Sequence, residues 1–282
     1  MTAIYDQAYR RYEARGPLRV LRFWPITREG LSLVLAKRAF LLLLGFSAIP
    51  LIVRAIIIFV GTQFPQVNQV VPMDGRMFGE FLNQQIGFTL LVSVFGGAGL
   101  VANDLRTGAI LVYLSRPLTR RDYVLGKLGV LMALNLAVTL LPGLLLYMVA
   151  LGLAPDIFVK LSLLWIAPNI VLHSLVLSLS MSLVALAVSS LAKSARIAGL
   201  GFFGLVAGLE MVRGILVHIV GARQAVLLSL QANLRALGNL LFGISPRGAE
   251  VDSAWAIAIL IGVALACLAI LRSRVRAVEI VR

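Results

Sequence analysis

Six apolar stretches long enough to cross a bilayer recur along the chain, near residues 39–60, 86–102, 128–152, 164–191, 197–220 and 254–271. About 20 helical residues cover the roughly 30 Å of bilayer hydrocarbon. The second and sixth stretches fall short of that and the fourth exceeds it, so tilt or local thinning is expected to absorb the difference. Three further segments are apolar on one face only. Residues 17–36, with Trp24-Pro25 and Thr27 as a helix N-cap, predict an amphipathic helix lying in the interface ahead of the first span. Residues 77–86 place Met77, Phe78, Phe81 and Leu82 on one face. Residues 224–242 set Leu227, Leu230, Leu234, Leu237 and Leu241 against Gln224, Gln231, Arg235 and Asn239. Both read as outer-surface or partly re-entrant helices. The predicted fold is all-α: a polytopic membrane protein of six transmembrane helices, with an N-terminal interfacial helix and an amphipathic outer helix before the last span. One domain is expected over 1–282: a lead-in over 1–38, a six-span bundle over 39–271 and a tail over 272–282.

Composition agrees with a lipid environment. The 282 residues are 60% hydrophobic and 13% charged, with a mean hydropathy of +0.96. A soluble domain has about 25% charged residues, so this chain cannot close its surface against water. The formal charge of +14 would suggest nucleic acid in a soluble protein. Here the cations border apolar spans, where they set orientation and meet anionic lipids, so no nucleic-acid partner is expected. Nineteen Lys and Arg fall in the lead-in, the 104–127 connection, the fourth-to-fifth connection and the tail; five fall on the other side. That bias places both termini in the cytoplasm, as an even number of spans requires. Trp165 and Trp255 sit at predicted outer ends and Trp24 at the inner surface. No signal-peptide pattern is seen ahead of the first span. Cys267 is the one cysteine, which precludes an internal disulfide or a thiolate metal site.

The connection from Asn103 to Lys127 reads NDLRTGAILVYLSRPLTRRDYVLGK. Asp104 suits the first turn of a helix, where exposed N–H groups stabilise a carboxylate. Leu105, Ala109, Val112 and Tyr113 would form its apolar face, with Arg106 opposite. Ser115-Arg116-Pro117 would end that helix, and Thr119 would cap the next. A short helix across the membrane surface, flanked by cations, is the expected result. These residues resemble the cytoplasmic connection of ABC transporter permeases of the type 2, export family: Asp104, Thr107-Gly108, Leu114-Ser115-Arg116-Pro117, Arg120, and Tyr123-Val124-Leu125-Gly126-Lys127. The departure is Asp104, where the family usually carries Glu. The resemblance implies a membrane-spanning permease subunit that couples ATP hydrolysis on separate ATPase subunits to export. A second permease copy, as a homodimer or related heterodimer, would complete it. ATP and magnesium would sit on the ATPases, and this chain would bind no cofactor. It also implies that Asp104, Arg106, Thr107, Gly108, Leu111, Arg116, Pro117, Arg120 and Arg121 face the ATPase. Gly126-Lys127 lacks the flanking residues of a phosphate loop, so energy must come from another chain. The expected setting is a prokaryotic inner membrane.

Glu210 and Arg213 stand inside the fifth span at a spacing that lets them pair. They read either as a packing lock or as the lining of a pathway or gate. Arg54, near the outer end of the first span, is expected to snorkel towards headgroups. Asn135, Asn169 and His173 are further pathway candidates. Asn169 follows Pro168 and could satisfy backbone groups the proline frees. His173 reads as a packed, hydrogen-bonded residue. With His173 and His218 the only histidines, no metal site is expected. Ser174, Ser178, Ser180 and Ser182 are expected to bond neighbouring helices rather than act as nucleophiles, so no catalytic residue is assigned. Gly204 and Gly208, and the stripe Ala254, Ala258, Gly262 and Ala266, permit close helix approach, within the bundle or between copies. An ion-coupled secondary transporter, or a membrane anchor for an ATPase without transport, are the alternative functions. The first is disfavoured because Glu210 is the one carboxylate inside a predicted span and no inverted repeat is evident.

Overall fold

The computed structural model describes residues 22–64, 74–109, 118–154, 156–219, 223–245 and 252–274. It is an all-α bundle with six helical segments long and apolar enough to span a membrane, and no strand among the described residues. The lead-in helix α1 is Trp24–Leu35. The first span is two helices, α2 (Arg38–Ser47) and α3 (Ile49–Gln63), separated at Ala48. Pro50 causes the break, because it has no N–H for the preceding turn. The Ser47 carbonyl accepts instead from Gln85 Nε2 at 3.1 Å, a donor on the second span.

That second span, α4, is Gly75–Thr107. Its 33 residues make a rod of about 50 Å at 1.5 Å each. Asp74 Oδ1 caps it by accepting from Met77 N at 3.2 Å, and Gly108, at φ 69°, ends it in the left-handed conformation. The separate outer helix expected at 77–86 is therefore the first part of this span. Met77, Phe78, Phe81 and Leu82 are buried, packed with Leu146, Ile166 and Ile170.

The third span, α5 (Arg120–Leu153), starts at a capping box in which Thr119 and Asp122 bond each other's backbone N–H. The fourth comprises α6 (Ile157–Ser162) and, after a turn, α7 (Ile166–Leu191). The fifth is α8 (Ala195–His218). A 3-10 turn (Arg223–Leu228) leads into α9 (Leu230–Leu241), and α10 (Ser253–Arg274) is the sixth span. The most apolar part of the fourth span is 72% buried and that of the second 61%, against 11% for the first and fifth. The core is thus α4 and α7 with α5 against them, and the other spans stand at the periphery.

The segment expected as one outer helix over 224–242 is divided at Ser229, whose Oγ caps α9 by accepting from Ala232 N at 3.1 Å. Its leucine face is buried as expected, with Leu230, Leu234 and Leu237 in the same core as Leu177, Leu183 and Leu260. Gln231 and Asn233 are buried too, so α9 is inserted among spans and not laid on a surface. Ala254, Ala258 and Gly262 are exposed, and a Cβ on Gly204, Gly208 or Gly262 would meet nothing within 4 Å. These small-residue stripes face away from the bundle.

The lead-in helix packs on the start of α5. Thr27 is not its N-cap: the helix begins three residues earlier, where Pro25 fits a first turn, and Thr27 Oγ1 donates to Gly126 O at 3.0 Å. A Cβ on Gly126 would stand 2.7 Å from Ile26 Cβ and 3.2 Å from the Phe23 carbonyl. Glycine is required there for two backbones to approach. Gly126→Leu is expected to detach α1 from α5, seen as faster proteolysis within residues 22–36 while the span bundle stays intact.

A candidate coupling joint and a buried charge cluster

Asp104 lies in the last turn of α4, not in the first turn of a new helix. The expected helix over Leu105, Ala109, Val112 and Tyr113 does not begin there, because Gly108 ends the span helix four residues on. Arg106 in the last turn followed by that glycine is a helix-stop pattern. Val112 and Tyr113, and the coupling candidates Leu111, Arg116 and Pro117, lie outside the described residues.

What Asp104 does is join two spans. Lys127 Nζ lies 2.7 Å from its Oδ2, and Tyr123 Oη donates to the same oxygen at 2.9 Å. Lys127 and Tyr123 stand one turn apart on α5, and the ammonium also lies 5.6 Å from the Tyr123 ring centre. The side chains of Lys127 and Asp104 are 9% and 16% exposed. In so dry a place the pair is strong only while both members are present. The Tyr-x-x-Gly-Lys string therefore has a structural account in this chain. Tyr123 and Lys127 hold the second span, and Gly126 admits α1. Arg106, Thr107, Arg120 and Arg121 are exposed around this joint and Gly108 is half-buried.

Nearer the opposite face, Glu210 organises a second charged cluster. Its pairing with Arg213 is present, Nη2 to Oε1 at 2.8 Å and Nε to Oε2 at 3.2 Å. The pair is not self-contained. Arg235 Nη1 donates to Glu210 Oε1 at 3.0 Å, and Ser229 Oγ donates to Oε2. Arg235, placed at sequence level on a polar outer face, is thus a member that spacing within one helix could not find. One carboxylate meets two guanidiniums, and the cluster ties α8 to the capped start of α9.

The other candidates lie inside the protein. Arg54 turns inward: Nη1 donates to Met77 O at 3.1 Å and Nη2 to Gln84 Oε1 at 3.0 Å, with the guanidinium 5.9 Å from the Phe81 ring centre. The long α4 brings those acceptors closer than any headgroup. Asn135 is fully buried and its Nδ2 donates to Ser93 Oγ and Ser182 Oγ, both at 3.1 Å, joining three spans. Ser178 Oγ lies 3.4 Å from Thr139 Oγ1, so Ser178 and Ser182 bond a neighbouring helix, whereas Ser174 Oγ has no hydrogen-bond partner among the described residues. Asn169 Nδ2 donates to Leu241 O at 2.9 Å, on the end of α9 and not to the groups freed by Pro168. His173 is packed, edge-on to Phe242 with ring centres 6.3 Å apart, but neither ring nitrogen has a hydrogen-bond partner among the described residues. The structure brings Glu210 and Arg213 together, sets Asn169 and His173 one turn apart against the end of α9, and leaves Arg54 and Asn135 in separate surroundings.

Two outcomes follow from these geometries. Lys127→Met should cost about 3 kcal/mol by stranding Asp104, and Asp104→Asn in the same chain should return part of it. Thermal unfolding of the four members of the cycle in detergent checks this, and additive losses would contradict it. Glu210→Gln leaves Arg213 and Arg235 converging without a counter-charge. It should lower the unfolding midpoint and the yield of monodisperse protein, whereas Arg235→Gln, which leaves Glu210 paired, should do so less.

These features sit on a chain whose sequence can be compared directly with known proteins. No curated protein matches it. The family model described as ABC-2 family transporter protein matches residues 87–271, from within α4 through most of the sixth span. The chain is therefore a member of the ABC-2 transporter family, an integral membrane permease component of an ABC transporter.

Proposed function

We propose that this permease exports a substrate using ATP hydrolysed by separate ATPase subunits that dock on the face bearing the Asp104–Lys127 joint. The observation that carries the reading is the joint itself. Asp104, Tyr123 and Lys127 lock the ends of the second and third spans, and the connection between those spans starts and ends beside them. A push on the 108–119 connection would then reach two spans together. Arg106, Thr107 and Gly108 on one side, Leu111, Arg116 and Pro117 within, and Arg120 and Arg121 on the other would meet the ATPase. That face is cytoplasmic in this reading, with both termini on it, in a prokaryotic inner membrane. A second permease copy would line the path with this one. Glu210, Arg213 and Arg235 are the charged groups best placed to border such a path, since they remain 20–39% exposed.

Arg106→Glu and Leu111→Asp are each expected to reduce ATPase co-purification at least several-fold while membrane insertion is unchanged. Undiminished co-purification with both would overturn the docking reading. A cysteine at position 108 labelled only from the extracytoplasmic side would overturn the orientation.

A further inference from the structure

Between the start of α5 and the end of α10 lies a cleft of about 440 Å³. Its rim is Arg120, Arg121 and Arg272, and its floor includes Leu125, Leu268 and Leu271. The order of arginine and leucine is reversed between the two helices. Arg121 precedes Leu125 by one turn on α5, and Leu268 precedes Arg272 by one turn on α10. Because α5 leaves this face and α10 arrives at it, both helices put their arginine at the membrane surface and their leucine about 6 Å deeper. Leu125 and Leu268 are 47% and 46% exposed, so the floor is open, while Leu271 beneath them is buried.

Among the described residues the rim is a cationic group with no ion-pair partner: none of the four ion pairs there involves Arg120, Arg121 or Arg272. Asp122, the nearest carboxylate in sequence, has its Oδ2 engaged by the Thr119 N–H at 2.9 Å and hydroxyl at 2.8 Å. Arg120 and Arg121 also occupy the first turn of α5, where the helix dipole is unfavourable to cations. Three uncompensated guanidiniums at headgroup depth above an apolar trough match an anion carried on acyl chains. An acidic surface on a docked ATPase would reach Arg120 and Arg121 but would place nothing in the trough.

We propose that this cleft binds an anionic phospholipid of the adjacent leaflet, its phosphodiester among the three arginines and an acyl chain along Leu125 and Leu268. The lipid would bridge the third and last spans beside the joint.

The test uses the whole chain, delipidated in detergent, titrated with phosphatidylglycerol or phosphatidylcholine, with bound lipid counted by native mass spectrometry. The wild type should retain phosphatidylglycerol in preference to phosphatidylcholine. Arg272→Gln should weaken that retention about fivefold, the worth of one cation near a membrane surface. Leu268→Trp, which fills the trough and keeps every charge, should weaken it at least as much. Arg196→Gln, on the same face outside the cleft, should leave it unchanged. Both α10 variants lie outside the proposed docking segment, so their effect on lipid is separate from ATPase docking. Equal retention of the two lipids by the wild type, no loss with Leu268→Trp, or an equal loss with Arg196→Gln would each overturn the site. So would weaker ATPase association with Arg272→Gln at unchanged lipid retention, which would assign the cleft to the protein partner.

Discussion

In hydrocarbon there is no water to take up a polar group that the protein leaves unpaired, and each such group costs several kcal/mol. This constraint organises the bundle more than apolar packing does, since lipid tails solvate leucine as well as another helix would. Asn135 illustrates the consequence. Its amide donates to hydroxyls on two other spans, so three helices share one register at mid-bundle. Gln85 on the carbonyl that Pro50 exposes, and Asn169 on the end of α9, do the same elsewhere. Each of these three side chains fixes a distance between helices.

Two carboxylates apply the rule at higher stakes. Asp104 and Glu210 stand towards opposite faces, and each is held by a cation from another helix and by a hydroxyl. An ion pair buried in this way contributes little net stability, but losing one partner is expensive, so it specifies geometry. Asp104 sets the second span against the third. Glu210 sets the fifth span against α9, with Arg213 from its own helix completing the fork. The glycines act in the same sense. Gly126 lets α1 reach the third span, and Gly199 lets the fifth approach the second so closely that an added Cβ would stand 3.3 Å from Ala98 Cβ.

The spans are legible because apolar length is a direct consequence of bilayer thickness: five of the six predicted stretches lie within helical segments long enough to cross, and 197–220 overruns its helix, Ala195–His218, by two residues. What misled was polarity. Asn83-Gln84-Gln85 read as the end of an outer helix, yet Gln84 accepts from Arg54, Gln85 serves the Pro50 break and Asn83 bonds Asn239, so α4 runs straight through them. Asn103-Asp104 read as a helix start for the same reason. Arg106-Thr107-Gly108 carried the better signal, a basic last turn followed by a glycine that can adopt positive φ. Spacing within a helix found Glu210 with Arg213, but Arg235 and Ser229 come from another element and only the fold brings them in. The resemblance singles out this stretch of chain, while the internal role of Asp104, Tyr123 and Lys127 depends on how the second and third spans pack.

Under the proposed coupling, the joint decides which parts move together. A displacement applied beyond Gly108 reaches α4 directly and α5 through Asp104. It reaches α7 less than two turns away, where Ser189 Oγ accepts from Val101 N and Ala102 N at 3.2 and 3.1 Å and donates to Ala98 O at 2.8 Å. Three spans tied by charge and hydrogen bonds at one end, and by Asn135 at mid-depth, respond as one body. The fifth span meets that body through apolar contacts alone, Phe202 and Val206 in the shared core and Gly199 against Ala98, with no hydrogen bond to break among the described residues. Its polar attachment, Glu210, lies towards the other end and holds α9. Relative motion is therefore least costly between the second-third-fourth unit and the fifth span, since Asn83 and Asn169 tie α9 to that unit. That is also the seam where the exposed part of the Glu210 cluster would be uncovered or closed.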